Sequence, residues 1–299
     1  NGMRHMRLST VMNGVASAAM ALVVAGQAVA QQALEIVGQP EPGAMGFQPS
    51  ATELKHDIVW LDTMLMYIIT VFVIFLSSIE IYTIVRFNRR ANPTPARFTH
   101  NTPLEVAWTL VPVVILVVIG AFSLPILFKQ QEIPVGDVTI KATGYQWYWG
   151  YTYPDNGGFE VISNMLKEKD EVKAGERFRT DDDGPSHLAA DNRMVVPAGE
   201  PIRLQTTGAD VIHSFAIPSL WFKIDSVPGR INEKVLFIEE PGVYFGQCSE
   251  LCGARHGYMP IVNEALPRPQ FEAWVLAQPG GTVGKPAAAT PAAAAPAPA

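Results

Sequence analysis

Apolar residues run almost without interruption in two places. Ile58 to Val85 is broken only by Asp62 near its start and Glu80 near its end. Leu104 to Phe128 carries Glu105 at its start and Pro112 and Pro125 within. At 1.5 Å per residue each stretch exceeds the roughly 30 Å of bilayer hydrocarbon. Lipid offers no partner for open backbone groups, so both are expected to be helices. The loop between them, 86–103, holds Arg86, Arg89, Arg90 and Arg97 and no acid. Basic loops stay on the cytoplasmic side, so a hairpin with both outer flanks outside follows. A weaker apolar run, Val11 to Val29, follows Arg4 and Arg7 and closes on Ala28-Val29-Ala30. A basic start, an apolar middle and small residues before a cut predict a signal peptide over 1–30. Residues 31–57 then form a short outer segment.

Beyond the second apolar stretch the pattern changes to short β-branched runs. Asp137–Thr143, Met194–Val196, Ile202–Thr206 and Lys234–Ile238 are separated by turns such as Pro228-Gly229 and Pro241-Gly242. This spacing predicts an antiparallel sandwich or barrel over 129–278. Residues 155–192 interrupt it with Lys167, Glu168, Lys169, Asp170, Glu171 and Asp181 to Asp183. They read as a charged, solvated insertion with a short helix, in which His187 stands alone. Phe271 to Leu276 reads as a closing helix, and 279–299, rich in Ala and Pro, as a tail that cannot build a core.

Composition agrees with a chain partly solvated by lipid. Of 299 residues, 48% are hydrophobic and only 17% charged, and mean hydropathy is +0.15. Soluble domains carry about 25% charged residues. The net charge is −6, and residues 131–299 hold 21 acids against 14 bases. An acidic outer domain speaks against nucleic acid as a partner.

The chemistry concentrates in residues 246–260, GQCSELCGARHGYMP, with His213 upstream. Cys248 and Cys252 alone would allow a disulfide outside the cytoplasm. With His213 and His256 they would allow a zinc site. Neither uses Met259, because thioether sulfur prefers copper. A blue-copper site needs one thiolate, two imidazoles and a weak axial methionine, which leaves one cysteine over. The surplus is absorbed if both thiolates bridge two copper ions, each with one imidazole. Met259 then serves one ion, and the other needs an oxygen from the loop between the cysteines. Nothing in this set pairs a nucleophile with a base, so the site reads as an electron carrier. In the run Gly144 to Tyr153, residues Tyr145, Trp147, Trp149, Tyr151 and Tyr153 alternate with other residues and, if extended, share one face. Core packing accounts for most of them; one exposed indole would receive an electron well. Glu105, just after Thr102-Pro103, suits a helix start.

These features together resemble subunit II of the bacterial haem–copper cytochrome c oxidases. The resemblance rests on GYQWYW, Asp210-Val-Ile-His213, Val227-Pro-Gly-Arg230, GQCSELCG and Tyr258-Met259-Pro260, which with the hairpin span nearly all of 31–275. It implies a two-helix transmembrane hairpin carrying an all-β cupredoxin-like extracytoplasmic domain with the binuclear copper centre CuA. The implied copper ligands are His213, Cys248, Cys252, His256, Met259 and the carbonyl of Glu250. The Glu250 carboxylate would bind a magnesium or manganese ion shared with subunit I. Trp147 would accept the electron from cytochrome c. Glu160, Asp191 and Asp210 would face that donor's lysines, Glu105 would stand at a proton-channel mouth, and Asp225 and Arg230 would touch subunit I. Further implications are haem only in subunit I, contact with subunit III, proton pumping by the complex, and two crossings of the bacterial inner membrane with the C-terminal domain in the periplasm. Thr152, Arg255, Trp221-Phe222 and the 155–192 segment depart from the family pattern. Rival readings are a membrane-anchored copper-transfer protein, a quinol-oxidising relative, against which the two cysteines speak, and a disulfide-bonded structural protein.

Overall fold

The computed structural model describes residues 34–132 and 138–284. The expected signal peptide and the end of the Ala/Pro tail lie outside them. Strand β1 (Ile36–Gly38) is followed by helices α1 (Glu53–Arg86) and α2 (Thr102–Gln131). Then come β2 (Val138–Tyr145), β3 (Tyr148–Thr152), β4 (Glu160–Ser163), β5 (Met194–Pro197) and β6 (Pro201–Gly208). The chain ends with β7 (His213–Ile217), β8 (Phe222–Ser226), β9 (Asn232–Phe237), β10 (Gly242–Cys248), β11 (Pro260–Leu266) and α3 (Arg268–Leu276).

Both long helices start on polar caps. Thr52 accepts the Lys55 amide at its hydroxyl, and Asn101 accepts that of Leu104 at its side-chain carbonyl, satisfying donors that have no helical partner. Each begins or ends a few residues outside its apolar stretch. Pro112 and Pro125 leave α2 continuous. The helices form a hairpin, closed at one end by Lys129, which donates to Glu53 at 2.8 Å and Asp57 at 2.6 Å. Trp60 meets Phe122 edge-on below that clamp. The most apolar windows of both helices are uncovered by the rest of the chain. Water would penalise such a surface and lipid would not.

The β region is a sandwich. One sheet has the order β5-β11-β10-β7-β8 with β1 added in parallel to β10, and the other β4-β3-β2-β6-β9. Alternate residues of each strand fill the space between, among them Ile140, Trp149, Tyr151, Leu204, Phe215, Tyr244 and Ile261. The first turn of α1 is fastened to this sandwich. Ala51 donates to the Ser219 carbonyl, Thr52 Oγ1 to that of Leu220, and Glu239 to that of Ala51. Lys55 is buried with its ammonium 3.7 Å from the Phe47 ring centroid and 4.7 Å from that of Trp221, a cation–π arrangement that partly replaces lost water.

Three expectations are corrected. The sandwich is not antiparallel throughout, since β2 pairs with β6 and β5 with β11 in parallel. The 155–192 segment is not all insertion: Glu160–Ser163 is a strand, paired with β3 from Trp149 to Thr152. Its short helix is two 3₁₀ turns, Pro154–Asn156 and Asp181–Asp183. Arg179 holds the remainder, reaching Glu168, Asp181 and the Gly184 carbonyl. The aromatic run is not one extended face either. A two-residue turn at Gln146-Trp147 joins β2 to β3. Trp149, Tyr151 and Tyr153 line the core, while Tyr145 stacks on Tyr148 and Trp147 sits at the tip.

Gly246 marks the tightest strand contact: a Cβ there would lie 1.9 Å from the Ala216 carbonyl oxygen. Gly246→Ala is expected to cost at least about 1–3 kcal/mol, lowering the melting temperature of the detergent-solubilised chain by several degrees in calorimetry. An unchanged transition would show that β7 and β10 are not so closely fixed.

Candidate metal centre

Cys248 ends β10, and the loop to β11 carries Cys252, His256 in a 3₁₀ turn, and Met259 just before β11. His213 opens β7. That strand runs antiparallel to β10 with Cys248 opposite Phe215, so His213 and Cys248 reach the same end of the sheet. Ser249 then donates to the Ser214 carbonyl at 2.9 Å, turning the loop back over His213.

The two cysteines are free, with sulfurs 3.9 Å apart, and the disulfide reading falls. His213 Nδ1 is 3.8 Å from Cys248 Sγ and His256 Nδ1 is 3.6 Å from Cys252 Sγ. Met259 Sδ lies 3.5 Å from Cys252 Sγ, and the Cys248 thiol donates to the Glu250 carbonyl at 3.3 Å. His213, Cys248, Cys252 and Met259 are buried and His256 half-buried. Two thiols, two imidazoles, a thioether and a carbonyl thus converge, a soft donor set of the kind copper prefers. Burial raises both thiols. For Cys248 the hydrogen bonds from His213 and nearby backbone outweigh it and bring the value to about 7. Cys252, beside that incipient thiolate, is pushed up to about 12. One proton therefore leaves readily, and the second needs a cation to displace it.

The surroundings hold the ligands in place. His213 Nε2 donates to Asp210 Oδ1 at 2.9 Å, which leaves Nδ1 directed at Cys248. Burial disfavours the imidazolium, but Cys248 and Asp210 on either side outweigh it and raise its pKa. Asp210 also accepts from the amides of Gln146 and Val211. These contacts, with His213, outweigh its own partial burial and lower its pKa. Trp149 Nε1 donates to the Met259 carbonyl, and Gln146 Nε2 to that of Cys252 at 2.7 Å. Trp147 leans on the ligand loop: a Cβ on Gly253 would come within 3.1 Å of its Cζ2. Gly253 has φ +126°, a conformation that glycine adopts without strain.

The remaining expected residues are dispersed. Glu160 is exposed on β4 and Glu250 exposes its side chain. Asp191 is committed to the Asn164 and Asn192 amides. Asp225 accepts from Ser214 Oγ at 2.8 Å, one residue from His213, and Arg230 is exposed after β8. Glu105 lies at the far end of α2 from the metal centre, where its carboxylate accepts the Asn101 amide and closes the helix start. His187 is not isolated, since its ring meets Tyr258 edge-on. The sequence reading placed Asp210 only at the donor face; the spacing Asp-x-x-His was the available sign of its contact with His213. No sign marked Gln146 as a partner of the Cys252 carbonyl.

Comparison with known proteins decides the family. A family described as "Cytochrome C oxidase subunit II, periplasmic domain" matches residues 138–266, and its transmembrane counterpart matches 40–126. Cytochrome c oxidase subunit 2 of Cereibacter sphaeroides is 46% identical over 292 residues, 93% of this chain and 94% of that one. The chain belongs to the cytochrome c oxidase subunit II family. A probable subunit 2 from Rickettsia bellii is 43% identical over 80% of this chain and 86% of its own length. The crystal structure of the periplasmic domain of subunit II (CoxB) of Bradyrhizobium japonicum is 47% identical, covering 48% of this chain and 94% of that one, with a TM-score of 0.42. As a subunit II, the chain is part of a membrane-bound oxidoreductase with other subunits, and its His213, Cys248 and Cys252 cluster fits the family's copper centre.

Removing the His213 partner should loosen the metal. Asp210→Ala is expected to weaken copper binding about 10–100-fold, read by competition with a copper chelator. Wild-type affinity in the variant would show that Asp210 does not orient the ring.

Proposed function

We propose that this chain accepts electrons from cytochrome c at a binuclear copper centre and passes them to haem in subunit I, where oxygen is reduced to water and protons are pumped. The convergence of two buried free thiols, two imidazoles, the Met259 thioether and the Glu250 carbonyl carries this reading. His213, Cys248, Cys252, His256, Met259 and the Glu250 carbonyl would hold two copper ions there, which would supply one-electron redox chemistry.

The residues around the centre serve that task. Burial of both cysteines and of Met259 keeps water from the ligand sphere and disfavours an open hand-off site of the copper-transfer kind. Asp210 and the Trp149–Met259 contact fix ligand positions, so little rearrangement accompanies a change of charge. Trp147, half-buried at the β2–β3 tip and against Gly253, is the residue that receives the electron at the surface. Glu160, Asp191 and the remaining exposed part of Asp210 give the donor face its negative charge, which speeds encounter with a basic partner at low salt. The exposed Glu250 carboxylate is free to hold a magnesium or manganese ion against subunit I, beside Asp225 and Arg230. Glu105 stands at the opposite membrane surface, where a proton-channel mouth belongs. The β domain then faces the periplasm of a bacterial inner membrane, and the helices pack in an oxidase with subunits I and III.

Electron paramagnetic resonance of the copper-loaded chain should show hyperfine structure from two equivalent copper nuclei, and Cys252→Ser should abolish it. A mononuclear spectrum would refute the proposal. Trp147→Ala should leave that spectrum unchanged and slow electron uptake from reduced cytochrome c by more than tenfold in stopped flow. Unchanged uptake would remove Trp147 from the path.

A further inference from the structure

A cavity of about 240 Å³ opens where the membrane hairpin meets the sandwich, between the start of α1, the end of α2 and the strand β9. Its helical walls, Thr52–Leu54 and Lys129–Glu132, lie up to six residues beyond the apolar stretches that begin at Ile58 and end at Phe128. At 1.5 Å per residue that is about 2–9 Å beyond the ends of the apolar stretches. The cavity therefore sits at the polar boundary of the membrane hairpin, on the side where lipid headgroups lie.

Its charges are of both signs and are not all satisfied. Lys129 is engaged by Glu53 and Asp57. Lys234, half-buried on β9, has no carboxylate partner among the described residues, and its ammonium rests 5.4 Å from the Phe222 ring centroid. Burial lowers its pKa, the mark of a cation that has lost water without gaining an anion. Glu132, exposed on the same cavity, makes no ion pair with the described residues. The two do not pair with each other, so the cavity holds a positive and a negative pole apart. Trp221 and Phe237 supply apolar lining of the kind found at membrane surfaces.

We propose that this cavity seats the zwitterionic headgroup of phosphatidylethanolamine, with the phosphate on Lys234, the ammonium on Glu132 and the acyl chains along the uncovered apolar sides of α1 and α2. A free phosphate would meet Lys234 but leave Glu132 opposed to it. A phosphatidylglycerol head offers Glu132 no cation. The inference rests on the two membrane spans and not on the electron-transfer reading.

Native mass spectrometry of the full chain, purified from membranes containing phosphatidylethanolamine, phosphatidylglycerol and phosphatidylcholine, tests it. Wild type should retain phosphatidylethanolamine in preference to both others. Lys234→Gln and Glu132→Gln should each reduce that retention about tenfold, the loss expected of one charged contact. Lys234→Arg should keep it, which guards against a general effect of substitution at this position. Equal retention of phosphatidylglycerol, unchanged retention in both glutamine variants, or displacement by inorganic phosphate would overturn the proposal. So would loss of the lipid in the assembled oxidase with subunit I side chains cross-linking to Phe237. Copper spectra of the same samples report separately on the metal centre.

Discussion

The structure depends on keeping two sulfur atoms close, buried and unbonded to one another. Thiols 3.9 Å apart in a dry interior resist losing both protons, because the second negative charge meets the first at low dielectric. The fold supplies what offsets that repulsion: imidazoles on either side, a carbonyl and a thioether, and space for a cation. This explains the opposite displacement of the two thiols, with Cys248 near neutrality and Cys252 far above it. The pair is tuned to be completed by metal.

The sandwich achieves this by register. Pairing of β7 with β10 sets His213 beside Cys248 across 35 residues of chain. The short loop to β11 then has no freedom left, because Ser249, Cys252 and Met259 are each tied by a carbonyl or amide to a neighbouring element. Close packing at Gly144, where a Cβ would fall 2.7 Å from the His213 ring, leaves that ring little room to turn. The surface tip carrying Trp147 and the ligand loop are joined by the hydrogen bond from Gln146 to the Cys252 carbonyl, so surface and metal centre are directly connected.

The sandwich is also fixed to the membrane hairpin. Hydrogen bonds from the Ala51 amide and Thr52 Oγ1, and Lys55 between Phe47 and Trp221, attach the start of α1 to the segment that follows β7, and the Glu239 amide, after β9, bonds the Ala51 carbonyl. Strand β1 reaches β10 itself. The height of the candidate metal centre above the membrane hairpin is thereby set by short contacts rather than by a flexible linker. That suits the proposed role, in which electrons cross fixed distances.

Sequence alone determined the elements whose cause is local. Hydropathy and chain length sufficed for the two membrane helices, because lipid permits few alternatives; β-branched runs between turn residues sufficed for β2, β5, β6 and β9. The ligand types in one loop pointed to copper because soft donors are selective by themselves. What depended on contacts between distant residues was not legible. The strand at Glu160–Ser163 is made by pairing with β3, since its own composition is half polar. The break at Gln146-Trp147 is imposed by the hairpin and overrode a periodicity that read as continuous. The contact of Gln146 with the Cys252 carbonyl, and the placing of Lys234 and Glu132 on one cavity, arise only when strands and helices far apart in sequence are brought together. Local patterns fix which elements form; tertiary packing decides which charges end beside one another, because only it removes water from between them.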